Sequence, residues 1–116
     1  MTGKYDTYDP QQRLTIEEAP AEQHRVQLRL GGELDFATVP TLCGAVVDLI
    51  ADGHRHLLLN LSAITWCDNA SLYTLLGIRS SLQNAEGSLA LTAASPAIRR
   101  ALDRTGLSPR LPLAPG

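Results

Sequence analysis

Aromatic residues are scarce in this chain: three Tyr, one Trp and one Phe among 116 residues, or 4%. Yet 44% of the residues are apolar, so the core has to be aliphatic. Only two cysteines occur, Cys43 and Cys67, in stretches that read as buried on a helix and at a strand end. That excludes a disulfide framework. There is no C-x-x-C pair and no Cys/His metal spacing. His24, His54 and His56 do not recur at ligand spacing, so no metal is expected. No apolar run approaches the roughly 20 residues of a membrane span, which argues against membrane insertion. The N-terminal stretch carries Asp6, Asp9, Glu17, Glu18 and Glu22 and no apolar segment. No secretory leader is read there, and a cytoplasmic location is expected. A net charge of −2 gives no general attraction to nucleic acid or to anionic lipid. Also absent are G-x-G-x-x-G, a Walker-type loop and G-x-S-x-G. No catalytic residue, no cofactor and no enzymatic activity are expected.

The patterning is that of one α/β domain. Residues 1–11 are polar and aperiodic and read as a flexible tail. "RLTIEEA" and "HRVQLRL" alternate with period 2, which predicts an antiparallel pair of strands. "GGELD" then breaks the pattern. Over 38–51, Val39, Leu42, Cys43, Val46, Leu49 and Ile50 form a helical stripe, with Pro40 in the first turn and Gly53 at the stop. The run "HLLLNL" reads as a strand covered on both faces. A second helix is predicted over 70–84, with Leu72, Leu75, Leu76, Arg79 and Leu82 on its stripe and Ile78 widening it. "GSLALTA" is the next strand. "SPAIRRALDRTG" is a third helix, capped by Ser95, opened by Pro96 and stopped by Gly106. Arg99, Arg100 and Arg104 read as its solvated face. Residues 110–116 form a weak edge strand or a tail, limited by Pro112 and Pro115. The domain is placed at 12–109. The expected fold is a mixed, mostly parallel sheet of 4–5 strands covered by 3–4 helices, in the order β-β-α-β-α-β-α(-β).

Sites in such sheets gather beyond the carboxyl ends of the parallel strands. Two loops there, "GGELD" and "WCDNAS", follow successive strands and are expected to meet. Together they supply Glu33, Asp35 and Asp68, with Asn69, Ser71 and Thr74 at a helix start. Asp68 or Asn69 serves as the N-cap in the simplest reading. Paired carboxylates can act as acid and base, but neither loop holds a histidine. Cys67 follows Trp66 at the end of a strand and reads as a packed thiol rather than a nucleophile.

These residues carry a resemblance. "GGELDFATVPTL" followed by "HLLLNLSAITWCDNASLYTLLGIRSSL" resembles the STAS domain, named for sulfate transporters and anti-sigma factor antagonists. Gly32-Glu33-Leu34-Asp35 matches the family's G-E-[LI]-D turn. Leu59-Asn60-Leu61-Ser62, Asp68 and Leu72 match its second motif, L-D-L-S-x-[VI]-x-[FY]-[IM]-D-S-[ST]-G-[LI]. The likeness spans about residues 12–108. It implies an anti-sigma factor antagonist that binds a cytoplasmic anti-sigma factor, typically a GHKL-type serine kinase, and so releases a sigma factor. It implies no direct contact with nucleic acid and leaves room for a homodimer. Implied partner-binding residues are Glu33, Asp35, Asp68, Asn69, Ala70, Ser71, Leu72 and Thr74. Asn69 stands at the phospho-acceptor position, where a carboxamide cannot be phosphorylated, and Ala70 removes the next hydroxyl. Ser71 is the substitute acceptor to consider, about 200° further around a helix. A phosphoserine would add about −1.5 to −2 charge beside Asp35 and Asp68. The alternative function is an adaptor subunit of a transporter ATPase, as in phospholipid import, or of a stress-signalling scaffold.

Overall fold

The computed structural model describes residues 7–8, 13–20 and 25–113. Five strands form one sheet in sequence order: β1 (Thr7–Tyr8), β2 (Leu14–Pro20), β3 (Arg25–Leu34), β4 (His56–Cys67) and β5 (Ser88–Ala94). β2 runs antiparallel to both β1 and β3, and β3, β4 and β5 run parallel. The parallel crossovers are α1 (Val39–Ala51) and α2 (Asn69–Asn84). After β5 come α3 (Pro96–Thr105), a 3-10 turn (Ser108–Arg110) and a single parallel bridge between Leu113 and Leu91. From β2 onward this is the order the sequence predicts. Thr7–Tyr8 adds a short outer strand within the stretch read as a tail, whose other residues lie outside the described ones.

Alternation does what period 2 requires. Leu14 and Ile16 on β2 and Val26, Leu28 and Leu30 on β3 are buried on one face, while Thr15, Glu17, Arg25 and Arg29 are exposed on the other. The leucine run of β4 does the same. Leu57, Leu59 and Leu61 are fully buried, but Leu58 is only half-buried. The expected strand covered on both faces is therefore a strand covered on one; three leucines in a row are too short a run to tell the two apart. The core gathers these side chains with Leu42, Val46 and Leu49 of α1, Leu72, Leu75 and Leu82 of α2, and Ile98 and Leu102 of α3. It contains no aromatic side chain among the described residues.

The helix ends follow the sequence closely. Ser95 Oγ accepts the Ile98 N–H at 3.2 Å, and Pro96 is the first residue of α3. Gly106 takes a φ of 71° just past its end, a left-handed conformation that glycine reaches without strain. At the end of α1, the Gly53 N–H reaches Ile50 O and the His54 N–H reaches Leu49 O, each at 3.0 Å, which closes the helix. Two residues of the predicted α1 stripe, Cys43 and Ile50, are only half-buried, and Ala45 is buried in their place.

"GGELD" departs from expectation. The strand does not break there; β3 runs on through Gly31, Gly32 and Glu33 to Leu34. It does so by slipping against β4, which carries one extra residue between Asn60 and Ala63 and another between Ile64 and Trp66. These bulges change the spacing of the buried positions on β4 from two to three: Leu57, Leu59, Leu61, then Ile64, then Cys67. Gly32 permits the slip. Its φ is 99°, and the neighbouring Glu33 N–H bonds the Arg13 carbonyl of β2's approach at 2.8 Å. A Cβ on Gly32 would run into that same carbonyl oxygen. Gly32→Ala is accordingly expected to lower stability by about 1–3 kcal/mol, the range for forcing a non-glycine residue into strained backbone. A urea titration would read this as a lower midpoint at unchanged slope; an unchanged midpoint would show that Gly32 is not needed for the slip.

Candidate functional site

The β3–α1 loop is tied to itself. Asp35 Oδ1 accepts the N–H groups of Ala37 (2.9 Å) and Thr38 (3.1 Å). In return, Thr38 Oγ1 accepts the Asp35 N–H at 2.9 Å and donates to Glu33 O at 2.9 Å. Arg13, the residue before β2, closes the set: its Nη1 lies 2.9 Å from Asp35 Oδ2 and 3.1 Å from Glu33 Oε1. Burial alone would push the Asp35 carboxyl up. The Arg13 hydrogen bond and the two backbone N–H groups outweigh it and hold Asp35 below the usual carboxylate value. Both Asp35 oxygens are thus engaged within the loop, and its side chain is 16% exposed. The resemblance implies that Asp35 contacts a partner; in the structure its carboxylate braces its own loop.

Asp68 joins the two predicted loops. Its Oδ1 accepts the Ser71 N–H at 2.8 Å, which makes it the N-cap of α2. Its Oδ2 accepts the Phe36 N–H at 2.9 Å, across in the β3–α1 loop. Its own N–H donates to Leu34 O at 3.1 Å. The expected meeting of "GGELD" and "WCDNAS" is made by the pairing of Glu33 with Trp66 and Leu34 with Cys67, and Asp68 extends it into the loop beyond.

Beyond the cap, the first turn of α2 sorts itself by depth. Asn69 and Ala70 are exposed. Thr74 donates to Ala70 O at 3.2 Å and lines an apolar groove of about 430 Å³ between α1 and α2. Ser71 and Leu72 are both 0% exposed. This corrects the sequence reading of them as partner-contacting residues, because helical periodicity turns positions 71 and 72 inward on the same face as Leu75 and Leu76. The hydroxyl of Ser71, the substitute phospho-acceptor, is buried with it and faces the core in this structure. Ser71 Oγ has no hydrogen-bond partner.

Two other readings change. Arg104 is not simply on a solvated face: its Nε donates to Asn69 Oδ1 and its Nη2 to Cys67 O, each at 3.1 Å. Arg99 Nε reaches Ala94 O at 3.3 Å. Cys43, read as buried, is half-buried on the wall of the α1–α2 groove. Cys67 is buried as expected. Burial, with the Asp68 carboxylate beside it, pushes its thiol up to about 12, so it carries no thiolate near neutral pH.

Sequence reasoning missed the aromatics. Phe36 is 79% exposed, Trp66 55% and Tyr73 54%. Phe36 follows Asp35, Trp66 precedes Cys67 at the end of β4, and Tyr73 sits one turn after Asn69 on the same face of α2. Large aromatics are normally well buried. Phe36, Trp66 and Tyr73 all lie in or next to the two motif stretches and are exposed, above a core that is aliphatic. The signal was available: both Phe36 and Trp66 stand next to motif residues in a chain with few aromatics.

The STAS domain family model matches residues 17–116. The anti-sigma-B factor antagonist of Staphylococcus aureus is 31% identical over 81 residues, covering 70% of this chain and 75% of that protein. The crystal structure of an anti-sigma factor antagonist from Mycobacterium paratuberculosis superposes with a TM-score of 0.75 at 25% identity. It covers 100% of this chain and 92% of that one. The anti-sigma factor antagonist SpoIIAA in its unphosphorylated form shares the fold, with a TM-score of 0.71 at 24% identity over 86% of this chain and 88% of that one.

Asp68→Ala is expected to cost about 1–2 kcal/mol, the usual loss for an N-cap. It should also speed hydrogen exchange at both Ser71 and Phe36; acceleration at Ser71 alone would dissolve the proposed bridge. Ser71→Ala should be neutral or stabilising by up to about 1–3 kcal/mol, because it removes a buried hydroxyl that bonds nothing. A lower melting temperature for that variant would mean the hydroxyl has a partner after all.

Proposed function

This chain belongs to the STAS domain family, and on that premise we propose that it is a regulatory binding module that docks an anti-sigma factor at the start of α2. The observation that carries the reading is the exposure of Asn69 and Ala70 together with three aromatics close to them in the chain or fold: Phe36, whose N–H is held by Asp68, Tyr73, one turn on along α2, and Trp66, near the end of β4. Aromatic anchors around a small polar centre are the usual makings of a protein interface. The related proteins are anti-sigma factor antagonists by name, which supports a partner of that class. We place the docking domain at 12–109 and give the partner contacts to Asn69, Ala70, Thr74, Phe36, Trp66 and Tyr73. Asp35 and Asp68 hold the edge in shape, and Glu33 is shared between Arg13 and solvent.

At positions 69–71, where the family's phospho-acceptor stands, the edge presents no reachable hydroxyl. Asn69 cannot take a phosphate, Ala70 has none to offer, and the Ser71 hydroxyl is buried. We propose that this chain stays in the docking state and is not switched by phosphorylation at this edge. The partner we favour is a GHKL-type serine kinase.

Calorimetric titration of the purified protein against each serine-kinase anti-sigma factor of the same host tests this. One of them is expected to bind. Phe36→Ala and Tyr73→Ala should each weaken that binding about tenfold or more, as truncated aromatic anchors do, with the melting temperature unchanged. With ATP present the mass of the protein should stay constant. Binding to none of them, with retention by a transporter ATPase instead, would move the protein to the adaptor class; an added phosphate would end the unswitched reading.

A further inference from the structure

We infer that Arg104 is a positioning residue for Asn69: it turns the carboxamide so that its NH₂ group faces outward, and the docked partner therefore presents an acceptor, a carboxylate or a main-chain carbonyl, opposite position 69. This rests on the docking edge proposed above.

The argument is one of donors and acceptors. A guanidinium has only donors, so the atom facing it must be an acceptor. Arg104 Nε lies 3.1 Å from the side chain of Asn69, and that contact fixes Oδ1 on the Arg104 side. The second arm of the same guanidinium, Nη2, bonds Cys67 O at 3.1 Å. Arg104 thus spans the last residue of β4 and the first residue of α2, anchored at one end on main chain. A fork with one arm on backbone loses less orientational freedom for the other arm. Arg104 also sits in the last turn of α3, where the helix dipole favours a cation. What remains of the Asn69 carboxamide is Nδ2, with two donors and no partner among the described residues. The side chain is exposed, and Tyr73 stands beside it one turn on. The edge therefore offers hydrogens. A partner that offered hydrogens in return would leave donors facing donors, and a partner with an acceptor would satisfy them.

The same contact changes what a charge at position 69 means. A carboxylate there would accept both from Arg104 and from the start of α2. Its charge would be compensated, and the donors would be gone. Asn69→Asp then weakens docking through loss of the NH₂ and not through bare repulsion.

A double-mutant cycle on Asn69 and Arg104 against the bound anti-sigma factor tests this. Arg104→Ala should weaken binding about threefold to tenfold, the scale of one hydrogen bond's orientation. Arg104→Lys, which can still donate to Oδ1, should recover part of that. Asn69→Ala should weaken binding at least as much, and adding Arg104→Ala to it should cost nothing more. Equal losses from Arg104→Ala in both backgrounds would mean that Arg104 touches the partner itself and would overturn the inference. An Arg104→Ala affinity equal to wild type would overturn it too. The side-chain amide signals of Asn69 in ¹⁵N spectra provide a readout that needs no partner. They should shift between wild type and Arg104→Ala, and unmoved signals would refute the positioning outright. If the wild-type protein binds no anti-sigma factor while those signals do shift, the docking reading and the predicted acceptor fail together, and only the hold on Asn69 stands.

Discussion

One carboxylate is shared between two pieces of chain. Asp68 Oδ1 starts α2, and Oδ2 holds the Phe36 N–H in the loop before α1. The ends of two adjacent parallel strands are thereby fixed to each other at the point where both turn into helices. The strand pairing that ends at Leu34 and Cys67 brings the two segments side by side, and that bond ties the loop carrying Phe36 to the helix start carrying Asn69. With it, they form a single edge. A neutral or shorter side chain could cap the helix or hold the loop, but a carboxylate has two acceptor oxygens and does both.

The braces beneath this edge consume most of its charge. Arg13 pairs with Glu33 and Asp35, and the second Asp35 oxygen binds its own loop. Both Asp68 oxygens are likewise bonded to backbone N–H groups. What is left facing outward is neutral: a carboxamide, a methyl group and three aromatic rings. An interface of that composition gains affinity from buried aromatic area more than from ion pairs, and it gains specificity from the few hydrogen bonds at its centre.

Much of this was legible in the sequence, and the exceptions have physical causes. The clean period-2 runs gave β2 and β3, and the Ser-Pro start with a Gly stop gave α3. The second half of β4 was opaque because two bulges turn its period from two to three, and no alternation template matches "SAITWC". "GGELD" looked like a break because a glycine at positive φ usually ends a strand; here it lets the strand slip and continue. The loops and the capping role of Asp68 could be read from residue type and place. Depth was legible in part: the helical stripe already turned Leu72 inward, against the motif's suggestion that it meets a partner, whereas the full burial of Ser71 beside exposed Asn69 and Ala70 was not readable from residue type. Arg104 was out of reach, since nothing in a helix 35 residues away announces a contact with Asn69.

Counting carboxylates predicts an acidic edge, and on that count a negative charge at position 69 would be repelled by its own protein. The geometry gives the opposite sign. The nearby Asp35 and Asp68 are already paired to donors, while position 69 lies against a guanidinium and in the first turn of a helix whose free N–H groups carry partial positive charge. Negative charge there would be accommodated within the chain. Any effect of such a charge on docking must then arise across the interface, from the acceptor it would confront or from the donors it would replace. The identity of residue 69 therefore acts less through charge than through hydrogen-bond polarity. Asparagine held by Arg104 presents donors at all times, whereas a serine hydroxyl can rotate to donate or to accept. On the docking reading proposed above, the Asn69–Arg104 pair would be a fixed complement for one kind of partner group, built from two helices that the strand end of β4 brings together.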